Sequence, residues 1–248
     1  MMRLIASLLI APFLCATAFA AEIKVLSAGA VETGLQSFAQ MVKRETGHDL
    51  KVQFNTTPQI AQRLAAGEAY DIVIAPPDTI TKAATDGKVV AGTRVPVGRL
   101  GAGVVVRRGA SAPDISTVDA LKRSLLGADS VVYNTASTGI YLDKLFEKLG
   151  ILGELRAKTT RYPDGAQVME HVRKGGGNEI GFGAITEIMA YEPKGVKLVG
   201  PLPAEVQNYT SYEAAMMTTA TSPDAAKTVL KALASPAGRT AFASAGVE

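Results

Sequence analysis

Apolar residues recur along this chain with two alternating periods, and the alternation predicts strands and helices in turn. EIKVLSA (22–28) has the pattern of a strand. Val31, Leu35, Phe38 and Val42 then return at helical spacing until Gly47 stops the helix. LKVQF (50–54) predicts a second strand, with a helix from about Pro58 to Ala66. YDIVIA (70–75) is nearly continuous apolar sequence, as a strand buried on both faces is, and a short helix runs on to about Asp86. This βαβαβ opening predicts a doubly wound α/β unit.

A second set follows. GAGVVVRRG (101–109) predicts a strand, and Ser116 with Asp119 makes a capping-box-like start to a helix ending near Leu126. DSVVY (129–133), AKTTRY (157–162), NEIGFGA (178–184) and GVKLVG (195–200) predict strands. GIYLDKLFEKLG (139–150) and GAQVMEHVRKG (165–175) predict the helices among them. YTSYEAAMMT (209–218) returns as a strand, and Pro223 opens a C-terminal helix. No linker separates the sets, so the expected class is α/β, two doubly wound lobes with a ligand cleft between them. Residues 21–98 plus 211–248 would form lobe 1 and residues 99–210 lobe 2, flexing near 99–103 and 207–212.

The first twenty residues stand apart from this pattern. MMRLIASLLIAPFLCATAFA places Arg3 before an apolar run and ends in Ala18-Phe19-Ala20, a small-x-small signal. That predicts a secretory signal peptide cleaved after Ala20 and a periplasmic protein. The single cysteine, Cys15, lies in that segment, so thiol chemistry and disulfides are not expected of the mature chain. A net charge of +3, with acids and bases interspersed, argues against a nucleic-acid partner. With two histidines and no mature cysteine, no transition-metal site is expected. HExxH, CxxC, GxSxG, a phosphate-binding lysine loop and the dinucleotide glycine fingerprint are all missing, and no cofactor is expected.

Candidate chemistry sits in the turns. LSAGAVETGL places Ser27, Ala28, Gly29 and Ala30 where a ligand can approach backbone N–H groups at a helix start. Asn55, Thr56, Thr57 and Pro58 make a second neutral cluster, and YNTASTGIY supplies Asn134, Thr135, Ser137 and Thr138 before Gly139. Each cluster serves equally as a helix cap or as a seat for a small anion. Pro76-Pro77 stiffens the turn after the third strand and would shape one wall.

The stretches from LSAGAVETGL to KVQFNTT, AAGEAYDIVIAPPD, GVVVRRGASAPDISTVDALKRSLL, TGIYLDKLFEKLGI and GPLPAEVQNYTSY together resemble the periplasmic molybdate-binding-protein-like branch of solute-binding proteins. The resemblance spans the mature chain and implies the type II periplasmic binding-protein fold, closing over a ligand and docking on an ABC permease. It places the first-turn serine of the family at Ala30, the second-turn serine at Thr57, the third-turn contact near Thr138 and the late tyrosine near Ala184. Both a hydroxyl and a phenol are therefore missing, which enlarges the implied site.

Arg99 and Arg161 would suit a carboxylate better than a tetrahedral oxyanion, because a guanidinium grips a carboxylate bidentately. The expected role is a monomeric, exported solute-binding protein that captures a small anion, either an organic di- or tricarboxylate or an oxyanion. The alternative is an enzyme of the aconitate-isomerase kind, which is similar to the same branch. It needs a proton-transfer group, for which Tyr133 and Asp164 lead Tyr141, Tyr162 and His171.

Overall fold

In the computed structural model, which describes residues 20–248, the βαβαβ opening forms as its apolar pattern requires. The expected signal peptide, with Arg3 and Cys15, lies outside the described residues apart from Ala20. β1 (Glu22–Ala28), α1 (Glu32–Thr46), β2 (Asp49–Asn55), α2 (Thr57–Ala65), β3 (Ile72–Ala75) and α3 (Pro77–Thr85) follow in order. β1 runs parallel to β2 on one side and to β3 on the other, so all three carboxyl ends share one edge.

β4 (Val95–Arg107) is longer than the apolar run predicted, because Pro96 and Gly98 hide its first half. The pairing with its neighbour slips between those two residues, a local bulge that lets a strand carry both. Arg99, expected ahead of this strand, lies inside it. The chain continues through α4 (Val118–Gly127), β5 (Ser130–Asn134), α5 (Ser137–Lys148), α6 (Leu152–Leu155), β6 (Thr159–Tyr162) and α7 (Gly165–Lys174). Then come β7 (Glu179–Ala184), α8 (Ile185–Tyr191), β8 (Val196–Pro201), β9 (Tyr209–Met216), α9 (Pro223–Ala234) and α10 (Pro236–Ala243). Thr117, not Ser116, caps α4 by accepting the Ala120 N–H at 3.1 Å; Ser116 instead binds Asp114.

The strands run in the order β2-β1-β3-β9-β4-β7-β5-β6, with β8 also on β4. β4 pairs with β9 through residues 95–101 and with β7 and β8 through residues 102–107, so one strand belongs to both lobes. The packed cores divide at the same place. One core joins Ile23, Phe38, Ile74 and Leu100 to Leu230 and Phe242. Beyond Ala102, strand alternation splits the core between the two faces of the sheet. Val104, Val131 and Tyr133 pack with Leu121, Phe146 and Leu155 on one face. Val105 and Val132 pack with Val168, Met169 and Ile188 on the other. Each lobe carries helices on a mixed sheet whose parallel pairs, β1 with β2 and β3 and β5 with β6 and β7, give the doubly wound arrangement.

Ala102 is where the chain crosses. Its N–H donates to the Asn208 carbonyl at 3.1 Å, and its own carbonyl accepts from the Leu202 N–H at 3.3 Å and from Gln207 Nε2 at 3.0 Å.

One glycine sets the approach of α5 to the sheet. Asn134 Oδ1 accepts the N–H groups of Ala136 and Gly139, at 3.0 and 3.1 Å, which folds the turn back onto β5. A β-carbon on Gly139 would fall 1.6 Å from the Asn134 carbonyl oxygen. Gly139→Ala is therefore expected to cost about 2–3 kcal/mol in urea denaturation. Wild-type stability in that variant would refute the close approach.

Candidate functional site

Each strand whose carboxyl end faces the gap between the lobes is followed by a helix start. β1 leads into the turn Gly29–Val31, β2 into α2, β5 into α5, β6 into α7 and β7 into α8. Parallel pairing of β1 with β2, and of β5 with β6 and β7, brings these starts to one place. The result is a cleft of about 570 Å³. Lobe 1 contributes Gly29, Ala30, Asn55, Thr56 and Thr57; lobe 2 contributes Ala136, Ser137, Thr138, Gly165 and Thr186. The N–H groups in a first helical turn have no acceptor within their own helix. Asn134 and Asp164 take up those of Gly139 and Gln167, and the helix starts give this wall partial positive charge.

The two threonines of the second turn divide their work. Thr56 is the N-cap of α2 and closes a capping box, its N–H donating to Gln59 Oε1 at 2.9 Å. Thr57 does not cap the helix. Its hydroxyl meets the Ser137 hydroxyl at 3.1 Å across the cleft, pairing one lobe with the other. A second interlobe bond runs from the Thr186 hydroxyl to the Ala30 carbonyl at 2.7 Å. The cleft is thus spanned by hydrogen bonds at two separate points.

Of the residues singled out in the sequence, Ala28, Gly29, Ala30, Asn55, Thr56, Thr57, Asn134, Ser137, Thr138, Asp164 and Ala184 line the cleft. Ser27 does not: it is fully buried beneath the turn, its hydroxyl donating to the Ala28 carbonyl at 3.2 Å. Pro76 is the N-cap of α3 and lies outside the lining. Arg99 also lies outside it. Its guanidinium pairs with Glu248 at 3.0 Å and stacks 4.3 Å from the Tyr209 ring centre, while its backbone exchanges hydrogen bonds with Glu248. Arg161 is held just behind the lining, by Asp143 at 2.8 Å and the Asn134 carbonyl at 3.0 Å.

Tyr133 sits on the core face of β5, 2% exposed, and donates to Asp143 at 2.9 Å. Burial first, then the Asp143 carboxylate, pushes its phenol up to about 12. That hydroxyl stays protonated and away from the cleft, so Tyr133 is withdrawn as a proton-transfer candidate. Tyr141 donates to the Val206 carbonyl at 2.6 Å, and the Tyr162 hydroxyl lies 3.0 Å from His171 Nδ1. Asp164 caps α7, accepting from Gln167 N and Gln167 Nε2, both at 2.9 Å.

Several lining residues escaped the sequence reading: Glu32, Glu187, Tyr191, Lys194 and Tyr212. Glu187, Tyr191 and Lys194 lie on or just after α8, a seven-residue helix too short to show a period. The available signal was Glu187 three residues after a small residue at a strand end, the acidic half of a capping box.

Glu187 has an unusual setting. Its Oε2 accepts the Ala184 N–H at a long 3.4 Å. The same oxygen lies where a β-carbon on Gly165 would approach to 2.3 Å, so a glycine at the start of α7 makes room for the carboxyl. Burial pushes it up to about 7; the Ala184 N–H opposes this, and the charges of Asp164 and Glu32 add to it. Burial also raises the phenols of Tyr191 and Tyr212, which remain donors. The ring of Tyr191 carries the Lys194 ammonium 3.9 Å from its centre.

A carboxyl lifted from 4.5 when unfolded to about 7 when folded binds its proton more tightly in the native state. Native stability is therefore favoured at acid pH and falls as pH rises from about 4.5 to 7. Converting the shift gives a loss of about 2–3 kcal/mol, allowing for the face of Glu187 that remains open to the cleft. Glu187→Gln is expected to flatten this segment of the pH–stability curve measured by denaturant titration. The two proteins should match near pH 4, and the variant should be the more stable at pH 8.

Comparison with known proteins places this architecture. Residues 23–248 match the family model described as bacterial extracellular solute-binding protein. The chain is 32% identical over 230 residues to an aconitate isomerase from Pseudomonas sp, spanning 90% of this chain and 86% of the relative. It is 27% identical over 203 residues to the molybdate-binding protein of Escherichia coli K12, spanning 79% and 77%. Among solved structures, the periplasmic molybdate-binding protein of Azotobacter vinelandii superposes with a TM-score of 0.75 at 17% identity, over 91% of this chain and 98% of that one. The sulfate-binding protein of Mycobacterium tuberculosis H37Rv superposes with a TM-score of 0.72 at 17% identity, over 92% and 86%. The chain belongs to the bacterial extracellular solute-binding proteins and has their type II periplasmic binding-protein fold.

Proposed function

We propose that the protein captures a small organic di- or tricarboxylate in this cleft, acting as an exported periplasmic monomer that serves an ABC permease. The observation that carries the reading is the size of the cleft together with its donors. A tetrahedral oxyanion fills the space of a few waters, each about 30 Å³, whereas the cleft measures about 570 Å³. Ala30 and Ala184, which stand where the family resemblance places a serine and a tyrosine, both line it and leave that extra room. The buried Oδ1 of Asn55 has no partner among the described residues, and a ligand with its own hydroxyl or protonated carboxyl would satisfy it.

Charge compensation in this reading comes from helix starts and neutral hydroxyls, with Lys194 as the ammonium in the lining. Capture follows from cleft closure, with residues 21–98 plus 211–248 moving against 99–210 about the Ala102 crossing. The Thr57–Ser137 and Thr186–Ala30 bonds join the lobes in the closed arrangement.

A second reading, isomerisation of the bound carboxylate by proton movement, is favoured by one comparison and one residue. The aconitate isomerase relative covers 90% of the chain, and Glu187 brings a carboxyl that titrates near neutrality into the same cleft.

The threonine pair tests the capture reading. Thr57→Val removes a cleft hydroxyl but no cap, and is expected to weaken cis-aconitate binding about tenfold in isothermal titration while leaving the melting temperature nearly unchanged. Thr56→Val removes the cap and is expected to cost about 1 kcal/mol of stability with a smaller effect on affinity. Tighter binding of molybdate than of any tricarboxylate, or equal affinity and stability losses in Thr57→Val, would sink the proposal.

A further inference from the structure

We infer that Glu187 is the catalytic acid–base group of the cleft, moving a proton along the carbon skeleton of a bound unsaturated polycarboxylate. The inference rests on the isomerase reading and names its proton carrier. The candidates named from the sequence, and Glu32, each have a local partner. Asp164 has both oxygens on Gln167, and Glu32 accepts from Gln36 Nε2 at 2.9 Å. Tyr133 is in the core, Tyr141 is tied to the Val206 carbonyl, and Tyr162 is paired with His171. Glu187 lines the cleft with one long backbone contact to Oε2, which leaves its carboxyl with bonding capacity for a ligand.

Its surroundings suit the task. The carboxyl rests against the backbone of Gly165 and Gly183. The titratable groups acting on it or responding to it are Asp164 on α7, Glu32 on α1, Tyr212 on β9 and Tyr191 on its own helix, with Lys194 also in the lining. Burial among these groups holds both protonation states within reach at neutral pH, which an acid–base catalyst needs.

The substrate class follows from the chemistry. It is a polycarboxylate in which a CH2 lies between a carboxylate and a carbon–carbon double bond. A Glu187 oxygen takes one proton from that CH2 as the C–H bond breaks, and the electron pair delocalises through the double bond into a carboxylate-stabilised dienolate. The added negative charge would fall on carboxylate oxygens placed toward the starts of α2 and α5, whose residues Thr57, Ser137 and Thr138 line the cleft. Glu187 then returns the proton to the far carbon of the allylic unit as the double bond shifts. No atom is gained or lost, and no oxidant, reductant or cofactor enters.

Glutamine at position 187 keeps a side-chain oxygen for the Ala184 N–H, so Glu187→Gln separates a capping role from proton transfer. The experiment is a proton NMR time course in deuterated buffer with cis- or trans-aconitate at about a hundredfold excess, using the mature wild type, Glu187→Gln and Glu187→Asp. Binding of the same anion to each protein is measured by calorimetry. The expected wild-type result is interconversion with deuterium entering the CH2, at a rate that changes with pH near neutrality. Glu187→Gln is expected to bind within a few-fold of wild type and to lose about a hundredfold or more of the exchange rate. Glu187→Asp is expected to keep a part of it. Wild-type binding without exchange overturns the assignment and leaves capture standing. Exchange at the wild-type rate in Glu187→Gln overturns it and leaves isomerisation to another group. No binding of either anion overturns the carboxylate reading on which the assignment rests.

Discussion

Backbone N–H groups at the start of a helix have no partner inside that helix, and an anion is among the few ligands that can satisfy several of them at once. Everything in this cleft follows from bringing such groups together. Parallel pairing aligns the carboxyl ends of β1 and β2 in one lobe and of β5, β6 and β7 in the other, so the turns they feed open on a common space. Small residues at those turns, Gly29, Ala30, Ala136 and Gly165, keep side chains from covering the N–H groups. A binding surface built from backbone dipoles needs no arginine, and the two arginines that looked suited to the task are committed to Glu248 and Asp143.

The lobes that carry these turns share β4, which crosses at Ala102. Its pairing changes from β9 to β7 and β8 over one residue, and the packed core changes with it. At the cleft the lobes are joined by hydroxyl hydrogen bonds, Thr57 to Ser137 and Thr186 to Ala30. Such bonds contribute about 1 kcal/mol each, small enough for a ligand to bias opening and closing.

A carboxyl in a cleft built for anions is the feature that departs from simple capture. Glu32 and Asp164 are held by local hydrogen bonds to Gln36 and Gln167. Glu187 has one long backbone contact, and its proton affinity is raised toward neutrality by burial. A bound polyanion would raise it further, which makes the Glu187 carboxylate a stronger base toward a proton of the ligand. The same property that makes it tolerable beside an anion equips it to exchange a proton with one.

How much of this was legible beforehand divides along a physical line. Periodicity and caps are local, and the amino-acid sequence determined by itself the order of strands and helices, the βαβαβ opening, the α/β class and the neutral character of the turns at Ala30, Thr57 and Ser137. It hid the first half of β4 behind Pro96 and Gly98, and α8 behind its short length. Only the tertiary structure decided which polar groups face the cleft, because that depends on where residues far apart in the chain come to lie. Ser27 went beneath its turn, Tyr133 to the core face of its strand and Arg161 to Asp143, while Thr56 and Thr57, adjacent in sequence, took a cap and a bridge between lobes. Glu187 owes its proton affinity to burial against Gly165 and to Asp164 and Glu32, from other helices, and no local pattern encodes that environment.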